Sequence, residues 1–283
     1  MQKSKLQFKI QNLIRQALAE DIGGGDITTN AIISAGQKAK AIIIAKEDGV
    51  IAGLDVACGV FWQIDKRIKF SSNVKDGAKV KKGQIIANIS GPARGILTGE
   101  RVALNFLQHL SGIATLTRKF KDQISKIKTN VKLLDTRKTI PGLRQLEKYA
   151  VKAGGGKNHR MGLYDAVLIK DNHIKIAGGI ERAVEGIRRA YKGKRTIEVE
   201  AKNLVEVKKA IKSGADRILL DNMNVKTLRE AVKLCKAAKI KTEASGGISL
   251  ENIRTIARTG VDYISIGALT HSARALDISL KVI

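Results

Sequence analysis

The sequence predicts an α/β fold in which a parallel barrel of the TIM kind, complete or incomplete, follows a sheet-rich first domain. Two observations predict the barrel: apolar runs of strand type alternate with amphipathic helical patterns in the second half, and most of these runs end in polar residues. A doubly wound open sheet is the alternative. The predicted strands are Val131–Asp135, Ala166–Lys170, Thr196–Glu200, Arg217–Asp221, Lys241–Ser245 and Tyr263–Gly267. The helical patterns between them are Leu143–Ala153, Ile180–Tyr191, Asn203–Ser213, Val225–Ala238 and Leu250–Thr259.

The first half of the chain has shorter elements. Apolar residues at helical spacing predict an opening helix over Phe8–Ala19. The other predictions are a helix at Asp55–Trp62, strands at Lys40–Ala45, Gly49–Gly53, Ile68–Phe70, Lys79–Val80 and Gln84–Ser90, and a long helix at Gly99–Leu116. We therefore expect a first α/β domain over residues 1–110 and a barrel over residues 111–271. The tail, residues 272–283, is expected to pack back on the first domain.

Composition limits the class of protein. The chain has 283 residues, of which 43% are hydrophobic, and this permits a sizeable core. No apolar run approaches the roughly 20 residues that cross a bilayer, so no membrane association is expected. The first ten residues lack the apolar centre of a secretory signal. Cys58 and Cys235 have no spacing typical of a metal site or a disulfide framework, so a reducing cytoplasm is expected.

The net charge of +26, from 52 Lys and Arg against 26 Asp and Glu, allows three interpretations. They are nucleic-acid binding, an enzyme that binds anions, and a general enrichment in lysine. The cations are spread along the whole chain, and no segment interleaves them with aromatic residues. We therefore expect no nucleic-acid partner, although charge alone does not decide the function.

The segment Asp135–His173 concentrates cations at the ends of predicted strands. Most single lysines and arginines are solvated surface residues, but these begin where one strand ends and recur where the next one ends. Because parallel strands place such ends on one face, the pattern favours a ligand with several anionic groups. The cations are Arg137, Lys138, Arg144, Lys148, Lys157, His159, Arg160 and Lys170.

Other strand ends carry further polar groups. Glycine-rich turns follow the last two strands, at Ser245-Gly246-Gly247 and Ser265-Ile266-Gly267, where barrels commonly bind phosphate. Acids occupy strand-end positions at Glu198, Glu200, Asp221 and Glu243. Glu200 and Asp221 either pair with nearby cations, bind Mg²⁺, or accept hydrogen bonds from ribose hydroxyls. His159 and His173 are candidate acid or base groups.

These motifs together resemble the quinolinate phosphoribosyltransferase family. The central segment is TRKTIPGLRQLEKYAVKAGGGKNHRMGLYDAVLIKDNHI, and EDIGGGDITT, TIEVE, LLDN, EASGGI and DYISIGALTHSARALDISL occur in the family's order. The resemblance implies an N-terminal α/β sandwich-like domain and an incomplete α/β barrel. It also implies the reaction of quinolinate with 5-phosphoribosyl 1-pyrophosphate (PRPP) to nicotinate mononucleotide, pyrophosphate and CO₂, with Mg²⁺, in NAD biosynthesis. A relative of the same fold with another substrate, of the molybdenum-transport-associated type, is the alternative.

The resemblance also implies roles for single residues. Arg137, Lys138, His159, Arg160 and Lys170 would hold the quinolinate carboxylates and the pyrophosphate, with Thr136 beside them. Arg101 would reach into the site of a neighbouring subunit, because the family forms homodimers and sometimes hexamers. Glu200 and Asp221 would position the ribose and Mg²⁺, and with Lys138 they are the catalytic candidates. Ser245, Gly246, Gly247, Ser265, Ile266 and Gly267 would surround phosphate, with His271 close by.

Overall fold

The computed structural model describes residues 2–283, with side chains from Ile10 onward. In chain order the elements are α1 (Gln2–Ile22), α2 (Ile27–Ile32), β1 (Lys38–Ala45), β2 (Gly49–Val50), α3 (Leu54–Ile64), β3 (Lys69–Ser72), β4 (Lys79–Val80), β5 (Ile85–Pro92), α4 (Ala93–Ser125), β6 (Lys132–Leu134), α5 (Arg144–Ala153), β7 (Val167–Ile169), α6 (Asp171–Ala177), α7 (Ile180–Tyr191), β8 (Ile197–Ala201), α8 (Leu204–Lys212), β9 (Arg217–Asp221), α9 (Val225–Ala237), β10 (Lys241–Ser245), α10 (Ile253–Ala257), β11 (Tyr263–Ser265), α11 (Ala268–His271) and β12 (Ile278–Val282).

The chain divides into two compact units. The first contains the residues up to Thr117 with Pro141–Gly155 and Ala273–Ile283, and the second contains Arg118–Ile140 with Gly156–Ser272. The expected boundary after residue 110 therefore falls inside α4, and α5 groups with the first unit instead of the barrel. The reason is local: the Tyr149 hydroxyl of α5 donates to Asp76 Oδ2 at 2.6 Å, and Glu147 contacts His109 of α4 at 2.9 Å.

The first unit is built on a four-stranded antiparallel sheet in the order β12-β1-β5-β3. Alternate residues of β1 are buried, as a half-covered strand requires, and Ile43 is fully enclosed. Helix α3 adds the buried Val60 and Phe61 to this core. A separate two-stranded pairing joins β2 to β4.

The second unit is a parallel sheet in the order β6-β11-β10-β9-β8-β7. Lys157 adds a short parallel bridge to Leu134 at the outer side of β6, so a linking segment forms a partial seventh strand. Helices follow most strands, as in βαβ units, and the arrangement is the incomplete TIM-like barrel that the sequence predicts. The strand interiors are apolar, with Val199, Ile218 and Ile264 fully buried.

The predicted barrel strands all occur, within two residues at each end. Two short helices, α2 and α6, and the terminal strand β12 were not predicted. Within the described residues, no helix combines the length and apolar character that a membrane span needs.

Candidate active site

The carboxyl ends of the parallel strands surround one cavity of about 640 Å³. Every barrel residue predicted to bind substrate lines it: Thr136, Arg137, Lys138, His159, Arg160, Lys170, Glu200, Asp221, Ser245, Gly246, Gly247, Ser265, Ile266, Gly267 and His271. Arg101 lies elsewhere, exposed on α4 in the first compact unit. A hollow of about 760 Å³ near the amino end of β6 is lined by lysines and small polar and apolar residues, without an acid or a histidine.

The loop after β6 presents Arg137 and Lys138 to this cavity. The Lys138 backbone N–H donates to Thr136 Oγ1 at 3.0 Å, and its carbonyl accepts from Thr270 Oγ1 at 2.7 Å. The first bond shapes the loop, and the second fixes it to the segment after β11. The Lys138 side chain then passes close to Gly267, where an added Cβ would stand 3.0 Å from Lys138 Cδ. A glycine at this position therefore leaves room for the lysine.

The linking segment beside β6 positions His159 and Arg160. Asp135, fully buried at the end of β6, accepts from the His159 backbone N–H at 2.9 Å. Arg160 Nη1 donates to the Ala166 carbonyl at 3.2 Å. Burial lowers the pKa of Arg160, and the neighbouring charge of Arg137 lowers it further. Two neighbouring guanidinium groups that repel each other favour the binding of an anion between or beside them.

Two carboxylates at strand ends face the same cavity. Burial raises the pKa of Glu200, the charge of Asp221 raises it further, and Lys170 opposes the shift. Asn222 Nδ2 donates to Asp221 Oδ2 at 2.9 Å and orients that carboxylate. A hard cation such as Mg²⁺ prefers carboxylate and other oxygen ligands, so this donor set fits it.

The glycine-rich turn after β10 has the backbone that only glycine adopts easily. Gly246 and Gly247 have φ of +93° and +59°, and a Cβ on Gly246 would overlap Asn222 Oδ1. The exposed amides of this turn, with Ser245, form a surface suited to phosphate oxygens.

Beneath the cavity is a group of charged residues that we call the floor cluster: His159, Glu198, Arg217 and Glu243. Glu198 and Glu243 precede Glu200 and Ser245 by two positions on their strands, so they lie deeper in the barrel. His159 Nε2 is 3.2 Å from Glu198 Oε2 and 3.5 Å from Glu243 Oε1. Arg217 Nη1 lies 3.7 Å from Glu198 Oε2 and 3.4 Å from Glu243 Oε2, with its guanidinium over the Tyr263 ring.

The floor cluster alters the proton affinity of its members. Burial lowers the pKa of His159, but the hydrogen bond to Glu198 and the charge of Glu243 outweigh it, so the net pKa is raised. Burial, followed by the charge of Glu198, raises the pKa of Glu243 to about 7. His159, Glu198 and Glu243 also offer ligand atoms within 4.8 Å of one another, but the Arg217 guanidinium already faces both carboxylates.

Comparison with known proteins identifies the family. The profile of the quinolinate phosphoribosyl transferase C-terminal domain matches residues 113–281, and that of the N-terminal domain matches residues 26–111. The chain belongs to the quinolinate phosphoribosyltransferase family. A probable nicotinate-nucleotide pyrophosphorylase [carboxylating] of Bacillus subtilis is 46% identical over 97% of this chain and 94% of its own. The chloroplastic nicotinate-nucleotide pyrophosphorylase [carboxylating] of Arabidopsis thaliana is 45% identical over 97% of this chain and 83% of its own.

Solved structures of similar proteins have the same fold. The nicotinate-nucleotide pyrophosphorylase of Francisella tularensis superposes with a TM-score of 0.92 at 44% identity, over 97% of this chain and 96% of that one. The predicted family and fold are therefore confirmed.

One histidine and one lysine that the sequence analysis singled out lie outside the cavity. His173 lies outside the cavity lining, and its Nδ1 accepts from the Lys170 backbone N–H at 3.0 Å. Lys148 is fully buried on α5, in the first compact unit.

Proposed function

We propose that this protein is a carboxylating nicotinate-nucleotide pyrophosphorylase, which joins quinolinate to the phosphoribosyl group of PRPP in NAD biosynthesis. The products are nicotinate mononucleotide, pyrophosphate and CO₂. One observation carries the proposal: cationic side chains from separate segments and a glycine-rich turn line a single cavity at the strand ends. Quinolinate is a dianion and PRPP carries a phosphate and a pyrophosphate, so their joint binding requires such a surface.

Each group in the cavity matches part of the two substrates. Arg137 and Arg160 present planar guanidinium groups, which bind carboxylates through paired hydrogen bonds. Lys138 and Lys170 contribute point charges to the anions beside them. The amides of Gly246 and Gly247 bind the 5′-phosphate, because their open backbone lets oxygen atoms approach closely.

The chemistry follows from positioning and charge. The ring nitrogen of quinolinate attacks C1 of the ribose while pyrophosphate leaves, and positive charge develops on the sugar. Glu200 and Asp221 place negative charge beside the ribose, and Lys138 stabilises the departing anion. The same two carboxylates would hold Mg²⁺, which neutralises pyrophosphate charge when it is bound. Decarboxylation at C2 follows, because the adjacent positive nitrogen of the new pyridinium ring stabilises the electron pair that the breaking bond leaves on C2.

A homo-oligomer with shared sites, a dimer or a hexamer, is part of the proposal. Arg101 is an exposed residue on α4 and is available for a carboxylate of a neighbouring subunit's substrate. We also propose a cytoplasmic location, since Cys58 and Cys235 are both free thiols.

Product analysis tests the proposed function. The purified protein is incubated with quinolinate, PRPP and MgCl₂, and nicotinate mononucleotide, pyrophosphate and CO₂ are measured. We expect the three products in equal amounts. If PRPP is consumed only with another base, the protein is a relative with a different substrate. If it is not consumed with any pyridine carboxylate, the proposed function is wrong.

A further inference from the structure

The proposed reaction needs a proton that neither substrate supplies at the right place. When CO₂ leaves, the electron pair of the broken C–C bond stays on ring carbon C2, next to the positive nitrogen. Nicotinate mononucleotide carries hydrogen at that carbon, so an acid in the cavity must deliver a proton there. The cationic lysines and arginines at the cavity's rim are poor acids at neutral pH, since their ordinary pKa values lie above about 10.

We propose that Glu243 is the acid that protonates C2 of the ring after CO₂ departs. The inference rests on the proposed function and extends it. Glu243 lines the cavity although its residue is fully buried, so its carboxyl group forms part of the cavity floor. Its Oε1 receives no hydrogen bond from the described residues, while His159 Nε2 stands 3.5 Å away. A buried carboxyl oxygen that receives no hydrogen bond is suited to carry a proton, which it can then donate to a ligand.

Burial and the charge of Glu198 favour the neutral form of Glu243, against the opposing effects of His159, Ser265 and Arg217. The groups facing it are Glu198 of β8, Arg217 of β9, the Ser265 hydroxyl of β11 and His159 of the segment beside β6. The Arg160 backbone N–H donates to His159 Nδ1 at 2.7 Å, so the ring proton lies on Nε2, the nitrogen that faces both carboxyl groups. Because Glu198 and Glu243 are buried side by side, their mutual repulsion favours retention of a proton on one of them. The raised pKa of Glu243, about 7, agrees with this.

The proton balance of the step is complete. The C2–carboxylate bond breaks and CO₂ departs without its electron pair. The pair on C2 takes the proton of the Glu243 carboxyl, a C–H bond forms, and Glu243 becomes a carboxylate. Before the next turnover the carboxylate takes a proton from solvent, and the positive charge of Arg217 stabilises it meanwhile. If no acid is present, the carbanion recombines with CO₂ before both can separate.

The first test separates sugar transfer from decarboxylation. In Glu243→Gln, the side chain keeps its size and hydrogen-bonding capacity but has no acidic proton. With quinolinate labelled at the C2 carboxyl, single-turnover release of pyrophosphate and of labelled CO₂ is followed. We expect pyrophosphate release within a few-fold of wild type and CO₂ release slowed by about 10²–10⁴-fold, the usual contribution of a positioned acid. A nucleotide that still carries both carboxylates should accumulate.

Two further variants distinguish an acid from a structural support. Glu198→Gln is the matched control, since it changes the other buried acid of the floor cluster and leaves Glu243 in place. Because this variant loses the charge that helps to raise the pKa of Glu243, the comparison is made at low pH, where Glu243 is protonated, and we expect CO₂ release to keep pace with pyrophosphate release there. Glu243→Asp retains an acid on a shorter side chain and should recover part of the lost CO₂ release. Equal losses of both products in Glu243→Gln and Glu198→Gln, without recovery in Glu243→Asp, would overturn the proposal.

The pH profile of the unmodified enzyme gives a test that depends on no variant's folding. The acid is active when it is protonated. At low pH, one CO₂ should therefore be released for each pyrophosphate in the first turnover. This ratio should fall as pH rises through the pKa of Glu243. A ratio that stays constant from about pH 6 to 9 contradicts the proposal. If wild type forms no nicotinate mononucleotide at any pH, the proposed function fails instead, and the two failures are thereby distinguished.

Discussion

Charge is stabilised in different ways at the rim of the barrel cavity, which we define by Lys138, Arg160 and Lys170, and in the floor cluster. At the rim, Lys138 and Lys170 are exposed residues, and water solvates their charge before a ligand arrives. In the floor cluster, Glu198 and Glu243 are buried, so each charge must be balanced by Arg217, by His159 or by a retained proton. Rim residues can therefore be changed at a cost to binding and catalysis alone, whereas floor residues also support the fold.

The largest expected effect is on stability, at the floor. Arg217→Met removes the positive charge that faces two buried carboxylates, and we expect about 3 kcal/mol lower free energy of unfolding, because buried charges lose their partner. Because the Arg217 side chain is 26% exposed, the expected loss is at the low end of the roughly 3–5 kcal/mol that breaking a buried ion pair costs. Denaturant unfolding followed by circular dichroism measures it. Arg67→Met is the control, since that exposed pair with Asp65 contributes little. Equal stability of the two variants would mean that the floor cluster contributes no more to the fold than an exposed surface pair does.

The next effect is on catalysis, at the rim. Lys138→Ala and Arg160→Ala should each lose roughly 1.5–3 kcal/mol of transition-state stabilisation, about 10-fold to 150-fold in kcat/KM, with an unchanged unfolding midpoint. Steady-state kinetics with quinolinate and PRPP measures the loss. Lys132→Ala is a matched control for Lys138→Ala, because it removes a lysine from the opposite end of β6. Near wild-type turnover of either rim variant would contradict the site assignment.

A smaller change is expected in the metal requirement. Glu200→Gln removes one of two carboxylates that fit Mg²⁺, and we expect the Mg²⁺ concentration for half-maximal rate to rise about tenfold, which corresponds to about 1.4 kcal/mol. A magnesium titration at saturating PRPP measures it. Glu185→Gln, on the exposed surface of α7, should leave the titration unchanged. An identical titration curve for the Glu200 variant would take this residue out of the metal site.

The smallest signal tests whether the rim is completed by another subunit. Arg101→Ala and Lys138→Ala are both expected to be weak alone. If Arg101 acts in a neighbouring subunit's site, mixing them after reversible dissociation creates some intact sites, and about a quarter of wild-type activity should return in a randomly mixed dimer. Mixed and unmixed preparations are assayed at equal total concentration. Absence of any gain, with mixed oligomers demonstrated by differential tagging, would mean that Arg101 does not act across subunits.

The rim could be predicted from sequence because it follows a positional rule. Strand ends share one face of a parallel barrel, so Arg137, Lys170 and Asp221 could be grouped from their positions along the chain alone. The strands themselves were predictable because their apolar runs are bounded by turns. The short helices α2 and α6 were missed because six and seven residues are too few to show a helical period. Strand β12 was missed because its partner, β1, is distant in the chain.

The floor cluster could not be assembled from sequence. Glu198 and Glu243 were visible as acids near strand ends, but nothing in the sequence indicates that they face each other and share Arg217. The register of β8, β9 and β10 brings Glu198, Arg217 and Glu243 together, and His159 joins them from the segment beside β6. The role of α5 was missed for a similar reason, since hydrogen bonding of Tyr149 to Asp76 joins segments that local patterns treat as unrelated.

The pairing of β12 with β1 has a consequence for synthesis of the protein. Ala41 lies opposite Val282, so the antiparallel sheet of the first unit is completed only after the six parallel strands have been synthesised. Residues 118–140 and 156–272 contain all six parallel strands and need no residue of β12 for their pairing. We therefore expect the nascent chain to finish its barrel while the sheet begun near the amino terminus still lacks an edge.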